Sequence, residues 1–248
     1  NFNFKALLDA HISSGADVSV AYAQQVIPEG MLAEHTMSKD LYYTLMLEDE
    51  RVKRIYVNTR EGGLQNLSMN IYVIDRKLLI ELINGAFVRG YVYFGRDVLM
   101  PSLRKLNVRG FKYDGYFARI TSMRSYFDEN MRLLDEKNLD ALFSGNPIYT
   151  KIRDDNPTRY INGSKAKNIM VADGCVIEGE VENSILFRGV RVAKGAKVKN
   201  CVLMQDTVVE ENANIEYIIT DKNATITAGK ELRGTDTLQV YVAKYQKV

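Results

Sequence analysis

Hydrophobic and polar positions follow two different rules along this chain, and the change comes near Pro147. Before it, the spacing switches between helical and strand periods. FKALLDAHI has helical spacing that Gly15 ends, and VSVAYAQQV then reads as a strand. LYYTLML and KRIYVN are strand-like runs separated by the polar turn EDER, LSMNIYVI reads as a buried strand, and RKLLIELI as a helix. RDVLMPSLRKL is a further helical pattern interrupted by Pro101. SMRSYFDENMRLLDEKN reads as a helix capped by Thr121 or Ser122, with Met123, Tyr126, Phe127 and Met131 or Leu134 on one face. Alternation of this kind predicts an α/β domain, here over residues 1–145.

After Pro147 the helical period disappears and a repeat takes its place. VADGCVI, VAKGAKV, VEENANI and ITAGKEL share apolar ends and a Gly or Asn at the fourth position. Gly195, Asn212 and Gly229 are 17 residues apart, as are Val192, Val209 and Ile226, and Val198, Ile215 and Leu232. The same step relates Ile185, Val202 and Ile219, and again Gly189, Asp206 and Asn223. A unit of this length with six-residue spacing inside it predicts coils of three short strands, with Gly, Asn or Asp at corners that need positive φ. Apolar rows then point inward and each coil covers the next. The predicted object over 146–248 is a left-handed parallel β-helix of hexapeptide type, with a flatter solenoid as the alternative. Gly174 and Gly195 are 21 residues apart, so an insertion is expected in the early turn, around GEVE. TLQVYVAKYQKV alternates and is expected to cover the open end of the stack.

Composition narrows the chemistry. Lys and Arg number 33 against 31 Asp and Glu, so a net charge of +2 without a dense basic block gives no support to a phosphate-tracking nucleic-acid surface. No apolar run is long enough to span a bilayer, and NFNFKALLDAH lacks the basic start and apolar core of a secretion signal. Cys175 and Cys201 lack CxxC spacing and read as packing thiols, which fits a reducing cytoplasm. The chain starts at Asn1, close to a helix, and is expected to be the later part of a longer protein. Hexapeptide β-helices that transfer acyl groups use a histidine as base, but His11 and His35 both lie outside the solenoid. Neither has ligand-type neighbours in sequence, and both read as structural or solvated. RVKR at 51–54 reads as a solvated strand start, with an effector-anion site as the alternative, and Tyr42, Tyr43, Tyr91, Tyr93, Tyr113 and Tyr116 read as core aromatics.

Taken together, HISSGADVSVAY, SMNIYVI, GYF followed by SYFDENMRLL, PIYTK, and the coil segments ENSILFRGVRV and MQDTVV resemble the ADP-glucose pyrophosphorylases, the glucose-1-phosphate adenylyltransferases of bacterial glycogen synthesis. The resemblance covers essentially the whole chain and implies a partial, Rossmann-like nucleotidyltransferase sheet ahead of the β-helix. The family's glycine-rich phosphate loop would lie before Asn1. Its reaction joins ATP and glucose 1-phosphate with release of diphosphate, and depends on Mg²⁺ held by carboxylates.

Several positions depart from the pattern that this resemblance implies. Where the family reads Gly-Tyr-Trp-Arg-Asp-Val-Gly-Thr, this chain reads GYFARITS, so Arg119 stands in the place of the metal-binding Asp. A unit charge and a divalent ion about 4 Å apart at an effective dielectric of 20 interact by roughly 8 kcal/mol, and reversing the sign turns that attraction into repulsion. The family's sugar-contacting Glu-Lys pair falls on Val57 and Asn58, a glycine lining its sugar site on Thr44, and the glycine of Ser-Met-Gly-Ile-Tyr on Asn70, while Ser68 is kept. The expectation is a degenerate sugar-phosphate site at Thr44, Asn58, Ser68 and Asn70, with no metal in this chain and Mg²⁺ in a catalytic partner.

The resemblance therefore implies a GlgD-type regulatory subunit. It would pair with a catalytic glucose-1-phosphate adenylyltransferase, as a heterotetramer, with effectors or a sugar phosphate as small-molecule ligands. Arg119 would bind such an anion or make an ion pair with Asp114 or Asp128. An active sugar-1-phosphate nucleotidyltransferase and a non-enzymatic scaffold subunit are the alternatives.

Overall fold

Asn3 starts the first helix, α1 (Phe4–Ser14), by accepting the Ala6 amide at 3.0 Å on its side chain, and Gly15 ends it in the left-handed region at φ 58°. This computed structural model describes residues 2–27, 42–59, 62–145, 147–151 and 153–248. Two compact units divide the chain, Asn1–Phe117 and Ala118–Val248.

In the first unit, β1 (Val18–Val26) follows α1. β2 (Tyr43–Glu48) and β3 (Arg51–Val57) form a hairpin whose two turn residues, Asp49 and Glu50, both have positive φ, the twist that suits a two-residue connection. β4 (Leu64–Ile74) pairs antiparallel with β1 and β2, and Asp75 then caps α2 (Arg76–Val88) through the Lys77 and Leu78 amides. The pattern around Pro101 forms a π-helical turn, Phe94–Leu99, running into the short α-turn Met100–Ser102. β5 (Val108–Lys112) lies parallel to β1 and closes the mixed sheet on itself in the order β1-β4-β2-β3-β5.

Closure needs a backbone without a side chain at one point. The Gly110 amide donates to the Glu50 carbonyl at 2.8 Å, and a Cβ on Gly110 would run into Leu47 and the Tyr22 ring. Val18, Val20, Tyr43, Leu45, Ile55 and Leu99 are buried in the core that this sheet encloses. Tyr42 and Tyr43 are core aromatics, as expected, but Tyr91 is exposed beneath Arg89, and the Tyr93 ring lies 4.6 Å from the Arg96 guanidinium. At RVKR, Val52 is buried while Arg51, Lys53 and Arg54 are exposed, and Lys53 pairs with Glu48 at 3.3 Å.

The second unit is built from rows of short parallel strands. β6 (Arg159–Tyr160), β8 (Val176–Ile177), β10 (Arg191–Val192), β13 (Val208–Val209) and β16 (Thr225–Ile226) make one row. β7 (Lys165–Val171) and β9 (Glu180–Leu186) bend at Asn168 and Asn183 and lead the other two. Their first halves continue in β11 (Lys197–Lys199), β14 (Asn214–Glu216) and β17 (Glu231–Arg233), their second halves in β12 (Val202–Leu203), β15 (Ile218–Thr220) and β18 (Val240–Val242). This is the left-handed parallel β-helix of hexapeptide type that the repeat predicts. Ile177, Val192, Val209 and Ile226 stack in its interior, as do Val181, Val198 and Ile215. Corners at Gly189, Asp206 and Asn223, and at Gly195, Asn212 and Gly229, have positive φ. The tail supplies a last partial coil: Val242 joins the core, and the Thr227 amide donates to the Val248 carbonyl at 2.8 Å.

Two sequence expectations are corrected here. Gly174 is in register with Gly189 rather than Gly195, because Val176 pairs with Arg191. The early coil is therefore shorter by two residues than those that follow, and GEVE contains the start of β9 instead of an inserted loop. The shortening lies between Ile177 and Glu180, where a Cβ on Gly179 would run into the Ala193 and Ala196 carbonyls of the next coil. Secondly, the row Ile185, Val202 and Ile219 is not part of the interior cluster. Val202 and Ile219 pack instead with Phe127 of α3 (Met123–Arg132), which explains why this helix falls within the second unit. On α3, Phe127 is buried with Tyr126 and Met131 beside it, whereas Met123 is exposed. A further helix, α4 (Glu136–Phe143), follows from its cap Asp135.

Phe127→Ala removes the ring that covers this outer row and is expected to lower stability by about 3 kcal/mol, read as a lower urea midpoint for loss of the β-helix signal. Burial pushes the Cys201 thiol from 9.0 up to about 12, and Cys175 moves the same way for the same reason. A thiol whose folded pKa is raised contributes stability present in full below the unfolded value and lost as pH rises toward the folded one. The urea midpoint is therefore expected to fall between pH 9 and pH 12, and a thiol reagent at pH 8 to label Cys201 no faster than the protein unfolds.

Candidate functional site

β4 carries a bulge in the middle of the predicted sugar site. Val20 of β1 faces Tyr72 while Tyr22 faces Ser68, so Met69, Asn70 and Ile71 lie opposite Ala21 alone. The bulge places Asn70 at φ 56°, a conformation that asparagine tolerates better than other side chains and that explains how it can stand where the resemblance has glycine. The Asn70 amide N–H donates to Ser68 Oγ at 3.2 Å, and Asn70 Oδ1 lies 3.4 Å from the Tyr72 hydroxyl. The Tyr72 ring meets Phe94 edge-on at 5.2 Å. Ser68 is 1% exposed whereas Asn70 is exposed, so a buried hydroxyl, an exposed amide and a phenol lie beside one another along β4. These neutral donors and acceptors suit sugar hydroxyls better than a phosphate. Tyr72 and Phe94 were not among the sequence candidates, although the spacing Ser68, Asn70, Tyr72 was the available signal.

Thr44 does not join that cluster. It pairs with Leu67, the residue before Ser68, so Thr44 and Ser68 point to opposite faces of the sheet. Thr44 is 2% exposed, and its Oγ1 has no hydrogen-bond partner among the described residues. Asn58, at φ 50°, closes the open end of the β2–β3 hairpin: its Oδ1 accepts the Tyr42 amide and its own amide donates to the Tyr42 carbonyl, both at 3.0 Å. With its oxygen and backbone so used, Asn58 has a structural task where the resemblance expects a sugar contact.

Arg119 lies in the second unit, half-buried in the stretch that leads to α3, whereas the other four candidates lie in the first. Immediately after it, Ser122 caps α3 by accepting the Ser125 amide at 2.9 Å, and Ser125 Oγ accepts the amides of Thr121 and Ser122. Thr121 is thus not the cap, and its Oγ1 is buried without a partner among the described residues. Of the acids named for Arg119, Asp114 has Lys112 Nζ at 2.8 Å and Asp128 has Arg124 Nε at 3.7 Å. A guanidinium at 119 puts a positive charge where the resemblance has a carboxylate.

Other titratable groups of the first unit have structural work. Asp97 accepts Arg96 Nε at 2.6 Å and the amides of Tyr93 and Val92, and these bonds, the Arg96 one foremost, hold its carboxyl well below the usual range. His11 Nδ1 lies 2.9 Å from Ser19 Oγ, joining α1 to β1. His35 is outside the described residues. No helix among the described residues is long and apolar enough to cross a membrane.

Comparison with known proteins places these observations in a family. Residues 152–239 match the family described as GlmU-like, C-terminal hexapeptide. The chain is 41% identical over 169 residues to the Glycogen biosynthesis protein GlgD of Bacillus subtilis (strain 168), covering 68% of this chain and 49% of that protein. It is 31% identical over 204 residues to the Glucose-1-phosphate adenylyltransferase of Geobacillus stearothermophilus, covering 79% of this chain and 50% of that protein. To the Glycogen biosynthesis protein GlgD of the same organism it is 39% identical over 132 residues, 53% of this chain and 38% of that one. The chain spans about half the length of the curated relatives it matches. With a hexapeptide β-helix following an α/β unit, and with this identity spread across both, the chain belongs to the glucose-1-phosphate adenylyltransferase family and is of the GlgD type.

Proposed function

We propose that this chain is a regulatory subunit in glycogen biosynthesis that pairs with a catalytic glucose-1-phosphate adenylyltransferase in a hetero-oligomer, a heterotetramer in its simplest form, in the cytoplasm. The partner would carry Mg²⁺ and make ADP-glucose and diphosphate from ATP and glucose 1-phosphate, while this subunit turns over little on its own. Arg119 carries the reading, because a fixed cation stands where the resemblance places a metal-binding carboxylate. The divergence at Asn58 and Thr44 supports it, since one has a structural task and the other is packed away from Ser68. Asn70 and Tyr72, beside Ser68, offer neutral donors and acceptors suited to sugar hydroxyls, which favours the sugar part of a sugar phosphate as what this subunit binds there.

ADP-glucose formation by the full-length protein alone, by its catalytic partner alone, and by the two together tests the reading, with fructose 1,6-bisphosphate, AMP and phosphate varied in each. The metal's contribution of several kcal/mol to such a reaction corresponds to a rate for the isolated subunit at least about a hundredfold below its partner's. Together the two should copurify, and the effector response should differ from that of the partner alone. A comparable rate from this protein by itself would show it to be an active nucleotidyltransferase.

A further inference from the structure

A groove of about 490 Å³ runs along one corner of the β-helix, beside α3, and it has no part in the site described above. Its floor is a column of carboxamides: Asn168, Asn183 and Asn200 occupy equivalent corners of successive coils, all with positive φ, and Tyr217 takes the same corner one coil further on. Its wall is apolar, formed by Met131 and Leu134, and the Tyr217 ring is held against Phe127 at 6.1 Å between centroids. Asn168 Nδ2 donates to Asn183 Oδ1 at 2.9 Å. Further along, the Asn200 side-chain carboxamide and the Tyr217 hydroxyl make no such bond among the described residues.

These features select a ligand class. Among the described residues no Lys, Arg or His lines the groove, and its one charged group is the Asp135 carboxylate, so a phosphate or nucleotide finds no countercharge and one like charge. An apolar ligand would leave the amides unpaired, at a cost that excludes it. A carboxamide both donates and accepts, as a hydroxyl does, and parallel coils repeat it at the strand spacing of about 4.8 Å, comparable with the length of one pyranose ring. We infer that the groove between α3 and the Asn168–Asn183–Asn200 corner binds a neutral oligosaccharide, with hydroxyls on the amides and the C–H faces of the sugars against Met131, Leu134 and the Tyr217 ring. This assignment does not depend on Arg119 or on how active the subunit is.

The test follows side-chain amide resonances of the whole protein by NMR during titration with maltoheptaose and with cellohexaose, and with glucose 1-phosphate as the anionic control. At least one neutral oligosaccharide should shift the Asn183 and Asn200 amides saturably, and the control should leave them unmoved. Asn183→Gly and Asn200→Gly keep the left-handed corner that glycine accepts freely, and thermal melting would verify that the coils remain folded. Each should weaken binding about fivefold, and the pair together by more than tenfold. Absence of shifts with both oligosaccharides at about 10 mM, a concentration that detects even weak sites, would overturn the assignment. So would affinity unchanged in the double variant, or an equal response to glucose 1-phosphate.

Discussion

Each coil of the second unit has an apolar inner face that only the coils next to it can cover. Ile177, Val192, Val209 and Ile226 are buried because their neighbours in the row lie directly above and below, through parallel pairing in a fixed register. That constraint acts on the corners as well, since a triangular coil has to reverse direction without losing step, and Gly, Asn or Asp enters the left-handed region there at little cost. The outside of the stack then varies. α3 covers Val202 and Ile219 with Phe127, whereas the face of β7, β9 and β11 carries Lys165 and Lys167 over Glu180 and Glu182, paired at 2.7 and 3.3 Å.

This requirement also decides what could be read from the residues alone. The stack was legible because the same demand recurs every coil, and five separate registers kept step. Its phase was not, because all three corners of a hexapeptide coil ask for the same chemistry, so Gly174 could be matched to the wrong corner and a shortened coil read as a lengthened one. Nor does a strand pattern reveal what lies outside it: Val202 and Ile219 look like core, and they are covered, but by a helix rather than by other coils. In the first unit the β2–β3 hairpin was visible in its EDER turn. The closure of the sheet through Val18 and Val108 was not, since parallel pairing between distant segments leaves no local trace.

The sequence named the candidate positions but not their geometry. Asn70 shows how a departure from a family pattern can leave the backbone intact, because the bulge needs positive φ and asparagine supplies it. At Arg119 the resemblance implies the opposite case, a reversed charge, while the cap at Ser122 keeps the following helix in place. Thr44 and Ser68 seemed neighbours in one pocket when read from the sequence, yet the pleat sends them to opposite faces.

The shortened corner at Gly179 shows how the solenoid absorbs a change in chain length. Two residues are missing there, yet Val176 still pairs with Arg191 and Val181 with Val198, so neither row is displaced. Insertions and deletions in such a solenoid are tolerated at its vertices and rejected along its edges, which makes each vertex a natural place for a lineage to graft a loop while the rest of the stack stays as it was.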